Sequence, residues 1–251
     1  MHQPISGLSS PGALGRLIAL WRYPVKSMGG EALASAELTA DGVLGDRRWA
    51  AYTADGGMGS GKNTRRFRRV DGLLDLRTEL QDPSTVPEVV FPDGRRGRAD
   101  DPGISQALSD LLDRPLQLRP QTVVPHHDES PVHLVTTASL RQLESIHVRA
   151  VAAARFRANI LLELDQALVV GRLPGREWEG RRIRIGTSAV LRMGPSMSRC
   201  VMVNAAQPVE GLPTDGALLK TLGSAGELEF GDHATVVCPG RVSVGDEVTL
   251  L

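Results

Sequence analysis

Short apolar stretches, each closed by glycine, proline or aspartate, recur along almost the whole chain, and this spacing constrains the fold more than any other feature. "LGRLIALW" (14–21), "EALASAEL" (31–38) and "RRWAAYT" (47–53) are separated by "MGG", "ADGVLGD" and "ADGG". Runs this short, with turn residues between them, read as antiparallel strands. "GLLDLRTEL" and "PEVVFPDGRRGRA" continue the pattern, with "PDG" as a hairpin turn. Later, "ANILLEL", "RRIRIG", "SAVLRM" and "CVMV" read as strands, and "HATVVCPGRVSVGDEVTLL" as two or three more. Helical spacing is rarer. Residues 101–115 predict a helix with Ile104, Leu108, Leu111 and Leu112 on one face and Pro115 ending it. Residues 136–153 predict a second, capped by Thr136, Thr137 or Ser139, with Leu140, Leu143 and Ile146 on its apolar side. A short third is expected at 215–222. Many short strands with few helices predict a mainly β, barrel-type fold rather than a βαβ repeat. The stretch 119–131 has three prolines and no periodicity, and reads as a linker or long crossing loop. It divides the expected organisation into a tail (1–13), a β-barrel unit (14–120) and a second β-rich unit (121–251).

Charge narrows the function. The 251 residues carry 29 Lys plus Arg against 29 Asp plus Glu, a formal net charge of zero. This argues against bulk binding of nucleic acid or an anionic membrane, while leaving room for a local basic pocket. Two cysteines, Cys200 and Cys238, cannot form a disulfide framework and sit in no zinc-type spacing. The opening "MHQPISGLSSPG" has no charged and then apolar signal region, and no run is long enough to span a membrane. The expected setting is the cytoplasm.

The basic residues are unevenly spread. Arg22 and Lys26 lie in "RYPVKS", Arg47 and Arg48 in "GDRRW", Lys62, Arg65, Arg66, Arg68 and Arg69 in "GKNTRRFRRV", and Arg155 and Arg157 in "ARFRANI". In a strand, Arg155 and Arg157 project to the same face, where two guanidinium forks grip phosphate or carboxylate. The 65–69 run reads as a solvated, ion-paired surface. Cys200, in "MGPSMSRCVMV", has three open roles: an inert core residue, a nucleophile whose pKa the adjacent Arg199 lowers, or a soft ligand to a transition metal. Cys238 reads as packing. His126, His127, Asp128 and His133 in "PHHDESPVH" read as plain surface, since adjacent histidines on a loop make a poor zinc site. "GMGSGK" lacks the spacing of a phosphate-binding loop.

Taken in order, these segments resemble the MOSC family with its N-terminal β-barrel extension. "LWRYPVKSMGG" resembles the family's opening Tyr-Pro-Val-Lys-Ser strand, and "GVLGDRRWAAYTADG" its Asp-Arg-x-Trp hairpin. "PVHLVTTASLRQL" resembles the start of the MOSC core, and "RFRANILLE" its Arg-Phe-Arg-Pro-Asn-Ile strand. "WEGRRIRIGTSAVLRMGPSMSRCVMV" resembles the strands leading to its Arg-Cys, and "LEFGDHATVVCPGRVSVGDEVTL" its closing strands. The resemblance implies an N-terminal β-barrel domain packed on a β-rich MOSC domain, with a molybdenum cofactor, a molybdopterin, between them. It implies Cys200 as catalytic residue and metal ligand. It places Lys26, Ser27, Arg47, Arg155, Arg157 and Asn159 at positions holding the anionic pterin and its phosphate, with hydroxyl contacts from Thr136, Thr137 and Ser139 and charge from Arg199. No iron–sulfur cluster and no pyridoxal phosphate are expected in this chain. No ferredoxin domain follows Leu251, so a small-molecule substrate, of N-hydroxylated or N-oxide type, and a separate electron-donor protein are the expected partners. A sulfur or cofactor carrier with a Cys200 persulfide, and a cofactor-free thiol protein, are the alternatives. Met197 and Met28 stand where relatives often have cysteine, Ala158 replaces the usual proline, and the stretch after Cys200 lacks the relatives' Val-Asp-Pro-Asp-Thr-Gly run, which leaves substrate choice open.

Overall fold

The computed structural model describes residues 12–164, 178–225 and 228–251, so most of the expected 1–13 tail lies outside the described residues. The first half carries β1 (Ala13–Arg22), β2 (Glu31–Ala32), β3 (Ser35–Thr39), β4 (Gly42–Val43), β5 (Trp49–Thr53), β6 (Met58–Ser60) and β7 (Phe67–Arg69). It continues with β8 (Arg77–Glu79), β9 (Glu88–Val90), β10 (Arg96–Arg98), helix α1 (Pro102–Leu111) and β11 (Leu116–Pro120). The second half adds β12 (Val132–Thr136), helix α2 (Thr137–His147), β13 (Ile160–Leu164), β14 (Arg182–Ile185) and β15 (Ala189–Ser198). Helix α3 (Leu218–Ser224), β16 (Glu229–Cys238), β17 (Gly240–Ser243) and β18 (Glu247–Leu250) complete it.

Seven strands run in the order β13-β12-β16-β15-β14-β18-β1, and β1 pairs back onto β13, closing a barrel. Closure removes the free sheet edges that invite aggregation. All its pairings are antiparallel except β12 with β13, whose crossover contains α2. Leu17, Leu134, Ile160, Leu162, Ile183 and Leu191 fill the interior and are fully buried. The barrel takes strands from both sides of residue 120, since β1 pairs with β13 and β18, and the small separate sheet β17-β3-β4 likewise joins the two halves. At the seam Gly15 is obligatory in size: a Cβ there would stand 1.9 Å from the Glu163 carbonyl oxygen. The sheets β11-β5-β6-β7 and β10-β9-β8, with α1, enclose a second core of Val25, Met28, Leu73, Leu76, Val89 and Leu108.

The mainly β barrel fold, with three α-helices among the described residues, agrees with the sequence pattern, and several local expectations are corrected. Helix α1 ends at Leu111, which is 44% exposed, so its buried face is Ile104 and Leu108. Helix α2 ends at His147 because Val148 turns to a left-handed backbone (φ 58°), which leaves Ile146 exposed. "CVMV" is not a strand: β15 stops at Ser198, and residues 201–204 form a 3-10 turn with Val201 outward. Cys238, expected to pack, is exposed at the end of β16.

Candidate active site

A cavity of about 110 Å³ lies where the loop after β1, the 121–131 segment and the end of β15 meet. The backbone that delivers its side chains is unusual. Ser27, Arg47 and Arg157 all have left-handed backbones (φ 64°, 49° and 52°), and all three line the cavity. This conformation costs a residue with a Cβ about 1–2 kcal/mol, so the surrounding bonds must impose it. Lys26 N donates to the Trp49 carbonyl (2.8 Å), Arg47 N to Tyr23 O (2.8 Å) and Arg157 N to Ala154 O (2.9 Å). The paired strands β15 and β16 shift register between Met193 and Ser198, around Gly194 and Pro195, while staying paired through Ser198–Glu229, and the chain leaving β15 brings Arg199 and Cys200 to the cavity.

Arg157 donates to the Met28 carbonyl (2.7 Å) and lies over the Tyr23 ring, 4.3 Å from its centroid. Arg47 covers the same ring at 5.0 Å, pairs with Asp46 and donates to Arg157 O (3.0 Å). Burial lowers the Arg157 pKa to about 10 and raises the Tyr23 phenol to about 12. Arg199 donates to the carbonyls of Phe230 (2.8 Å) and Phe156 (3.3 Å) and to His133 Nε2. Burial brings Arg199 down to about 9; burial first, and Arg199 next, hold His133 well below its usual range. His133 is therefore a neutral acceptor that aims Arg199. Arg155 gives its donors to the carbonyls of Val203, Ala205 and Pro213. Among the described residues, no carboxylate lies within ion-pair distance of Arg155, Arg157 or Arg199. Guanidinium groups held only on neutral acceptors leave positive charge that an anion would neutralise. On the opposite wall, Lys26 and Lys62 share the Asp128 carboxylate. Burial lowers the Lys26 pKa to about 8 against the pull of Asp128.

Of the residues expected at the site, Lys26, Ser27, Arg47, Arg155, Arg157, Arg199 and Cys200 line this one cavity. Four do not. Thr136 and Ser139 spend their hydroxyls on each other and on the backbone in the capping box of α2, and both are buried. Thr137, the first residue of α2, is outside the lining. Asn159 is buried behind the wall, where its Oδ1 accepts from His133 N (3.2 Å) and Arg47 NH1 (3.4 Å). The expected strand through Arg155 and Arg157 is a 3-10 turn (Ala153–Phe156), so the two reach the cavity from a turn rather than from one strand face. The structure corrects the surface reading of "PHHDESPVH" for its histidines, since His126 and His133 are buried and His127 and His133 line the cavity, whereas Asp128 is exposed, as read, at the cavity's rim. Lys62, Asp46 and Tyr23 were likewise unread as site residues. Tyr23 and Asp46 sit inside the quoted segments "RYPVKS" and "GDRRW", the one signal that pointed to them. Arg68 and Arg69 are ion-paired at the surface, as their run suggested.

The structure is a β-barrel whose cavity brings one thiol beside several cationic side chains. The "MOSC domain" model matches residues 121–249 and the "MOSC N-terminal beta barrel domain" model residues 14–91. The chain belongs to the MOSC family, whose domain is associated with the molybdenum cofactor. It is 24% identical to mitochondrial amidoxime-reducing component 1 of Homo sapiens over 95% of this chain and 83% of that protein. The Mus musculus protein of the same name is 27% identical over the same shares. Among solved structures, the YuaD protein from Bacillus subtilis covers 94% of both chains with a TM-score of 0.51 at 13% identity, a likeness of fold. No helix among the described residues is long and apolar enough to cross a membrane.

The cavity residues fit an anionic, metal-bearing pterin by their chemistry. Three guanidinium groups lack a carboxylate, the His127 Nδ1 atom is buried without a partner, and the one thiol in the lining is available as a soft donor.

Proposed function

We propose that this chain binds the molybdenum cofactor in the cavity between Lys26 and Cys200, with Cys200 as the protein ligand to the metal, and reduces N-hydroxylated or N-oxide small molecules. The observation that carries the reading is the meeting of one thiol with Arg155, Arg157 and Arg199, none of which has a carboxylate partner among the described residues. Guanidinium forks bind phosphate oxygens in pairs, and a thiolate suits a soft or high-valent metal. When bound, the cofactor supplies the two-electron oxygen-transfer chemistry. The chain's own residues bind and orient it: Arg157 and Arg47, stacked on Tyr23, face its anionic part, and His133 fixes Arg199 beside the sulfur. The printed name of the amidoxime-reducing relatives supports the substrate class. Electrons come from a separate protein donor, and the zero net charge speaks against nucleic acid or membrane as partner.

The test is turnover of an aromatic amidoxime by the chain made in a molybdopterin-competent host, with a chemically reduced viologen as donor. The expected result is reduction to the amidine in proportion to bound molybdenum. Bound molybdenum without turnover of amidoximes or N-oxides contradicts the reductase and leaves a carrier. Absence of molybdenum and pterin contradicts the cofactor assignment itself.

A further inference from the structure

The cavity wall at Lys26 and Lys62 carries an unusual ion pair. Asp128 sits in a segment with no regular structure, yet its carboxylate reaches the cavity, with Oδ1 on the Lys26 ammonium and Oδ2 on that of Lys62 (2.7 Å). Lys26 is buried and Lys62 partly so, and both lie over the Phe67 ring, at 4.6 and 5.1 Å from its centroid. Two oxygens on two ammonium groups is also the arrangement that two phosphate oxygens would make. The segment is fixed at its ends, where Gln121 N donates to Arg48 O (2.6 Å) and Ser130 Oγ to Ala234 O (2.8 Å), and in its middle, where His126 is fully buried with its Nε2 3.1 Å from the Tyr52 hydroxyl and Arg66 donates to His127 O (3.2 Å). Between them residues 122–125 are exposed, and His127 and Asp128 take up space in the cavity. The room left, about 110 Å³, is below the roughly 300 Å³ at which small-molecule sites begin.

We propose that Asp128 is a displaceable internal anion: its carboxylate holds the Lys26–Lys62 position until a ligand's phosphate takes it, and its release lets the loop around Asp128, between Ser130 and the buried His126, move outward to enlarge the cavity. The ligand class is an organic phosphate or diphosphate, and the idea rests on the proposed function only in naming that ligand as a pterin phosphate. The competition is a tax on affinity, since only the fraction of molecules with Asp128 released is ready to bind. It also selects. A monocarboxylate brings no more charge than Asp128 and competes poorly with an intramolecular group, whereas a phosphate brings up to two charges and more acceptor oxygens.

The experiment uses the full chain purified free of cofactor, with inorganic pyrophosphate as probe, followed by calorimetry at about pH 6.5, where Lys26 is protonated. Asp128→Asn should bind pyrophosphate about fivefold or more tightly than the parent. Asp41→Asn, which removes the same charge from an exposed pair with Arg48, should stay within about twofold. Hydrogen exchange on the parent gives a readout independent of the variants: saturating pyrophosphate should speed amide exchange in 127–129. Equal or weaker binding by Asp128→Asn, or slower exchange in that segment, overturns the proposal and makes Asp128 a fixed structural partner of the lysines. Neither readout involves molybdenum or turnover, so failure here and failure of the cofactor assignment are separate results.

Discussion

Ser27, Arg47 and Arg157 each hold a backbone that disfavours a side chain, and each puts a polar group into the same cavity. Strain gathered at one place and imposed by surrounding hydrogen bonds is the pattern of a binding site. Arg157→Gly tests this directly, because glycine adopts φ 52° without cost. Stability should stay within about 1 kcal/mol of the parent, while pterin per chain, read by fluorescence after release, should fall severalfold; unchanged pterin would remove Arg157 from the site. Asp232 makes a second point at this scale. It is 2% exposed, and burial pushes its carboxyl up to about 7 from 3.8, with Ser196 Oγ at 3.3 Å as a partial offset. Between those values the folded protein holds a proton that the unfolded chain has lost. Its stabilising effect is therefore present below about pH 4 and lost as pH rises through about 7. Asp232→Asn should show no such loss, and its advantage in denaturant unfolding should grow to roughly 1–3 kcal/mol above pH 7. A difference that stays flat with pH would mean that Asp232 ionises normally.

At the scale of elements, the sequence was most legible where one period governs a whole segment. Strands β1, β5, β13 and β15, and all three helices, fall on the stretches that read as such. It was least legible where a turn interrupts the pattern. "RFRAN" alternates like a strand but folds as a 3-10 turn followed by a left-handed residue, and "CVMV" is apolar throughout yet follows a strand whose register has shifted and which ends at Ser198. The hydroxyls of Thr136 and Ser139 were assigned both to capping and to ligand contact, and their hydrogen bonds go to the cap. Thr136→Ala should thus lower stability by about 1 kcal/mol and leave molybdenum per chain unchanged. A fall in metal content with unaltered stability would return Thr136 to the site. His133 and Asp128 were missed for a related reason. Beside a proline-rich loop sequence they look solvated; the pairing of β12 with β16 buries His133, and the reach of the loop brings the exposed Asp128 to the cavity.

For the whole molecule, the relation that matters is the one no local pattern contains. Strand β1 closes the barrel between β13 and β18, so the segment bearing Lys26 and Ser27 follows directly from a strand locked to the C-terminal half. Residues far apart in sequence thereby surround one cavity: Lys26 and Arg47 from one side, Arg157, Arg199 and Cys200 from the other. In the proposed function, this assembly holds a metal on the Cys200 sulfur. The direct measurement is molybdenum per chain for the parent, Cys200→Ser and Cys238→Ser, all made in the same molybdopterin-competent host. Serine changes one atom, so folding should survive in both variants, but its oxygen is a harder and less acidic donor than a thiol. The account predicts molybdenum near one per chain in the parent and in Cys238→Ser, whose thiol is exposed on β16, and little in Cys200→Ser. Full molybdenum in a folded Cys200→Ser protein would contradict it.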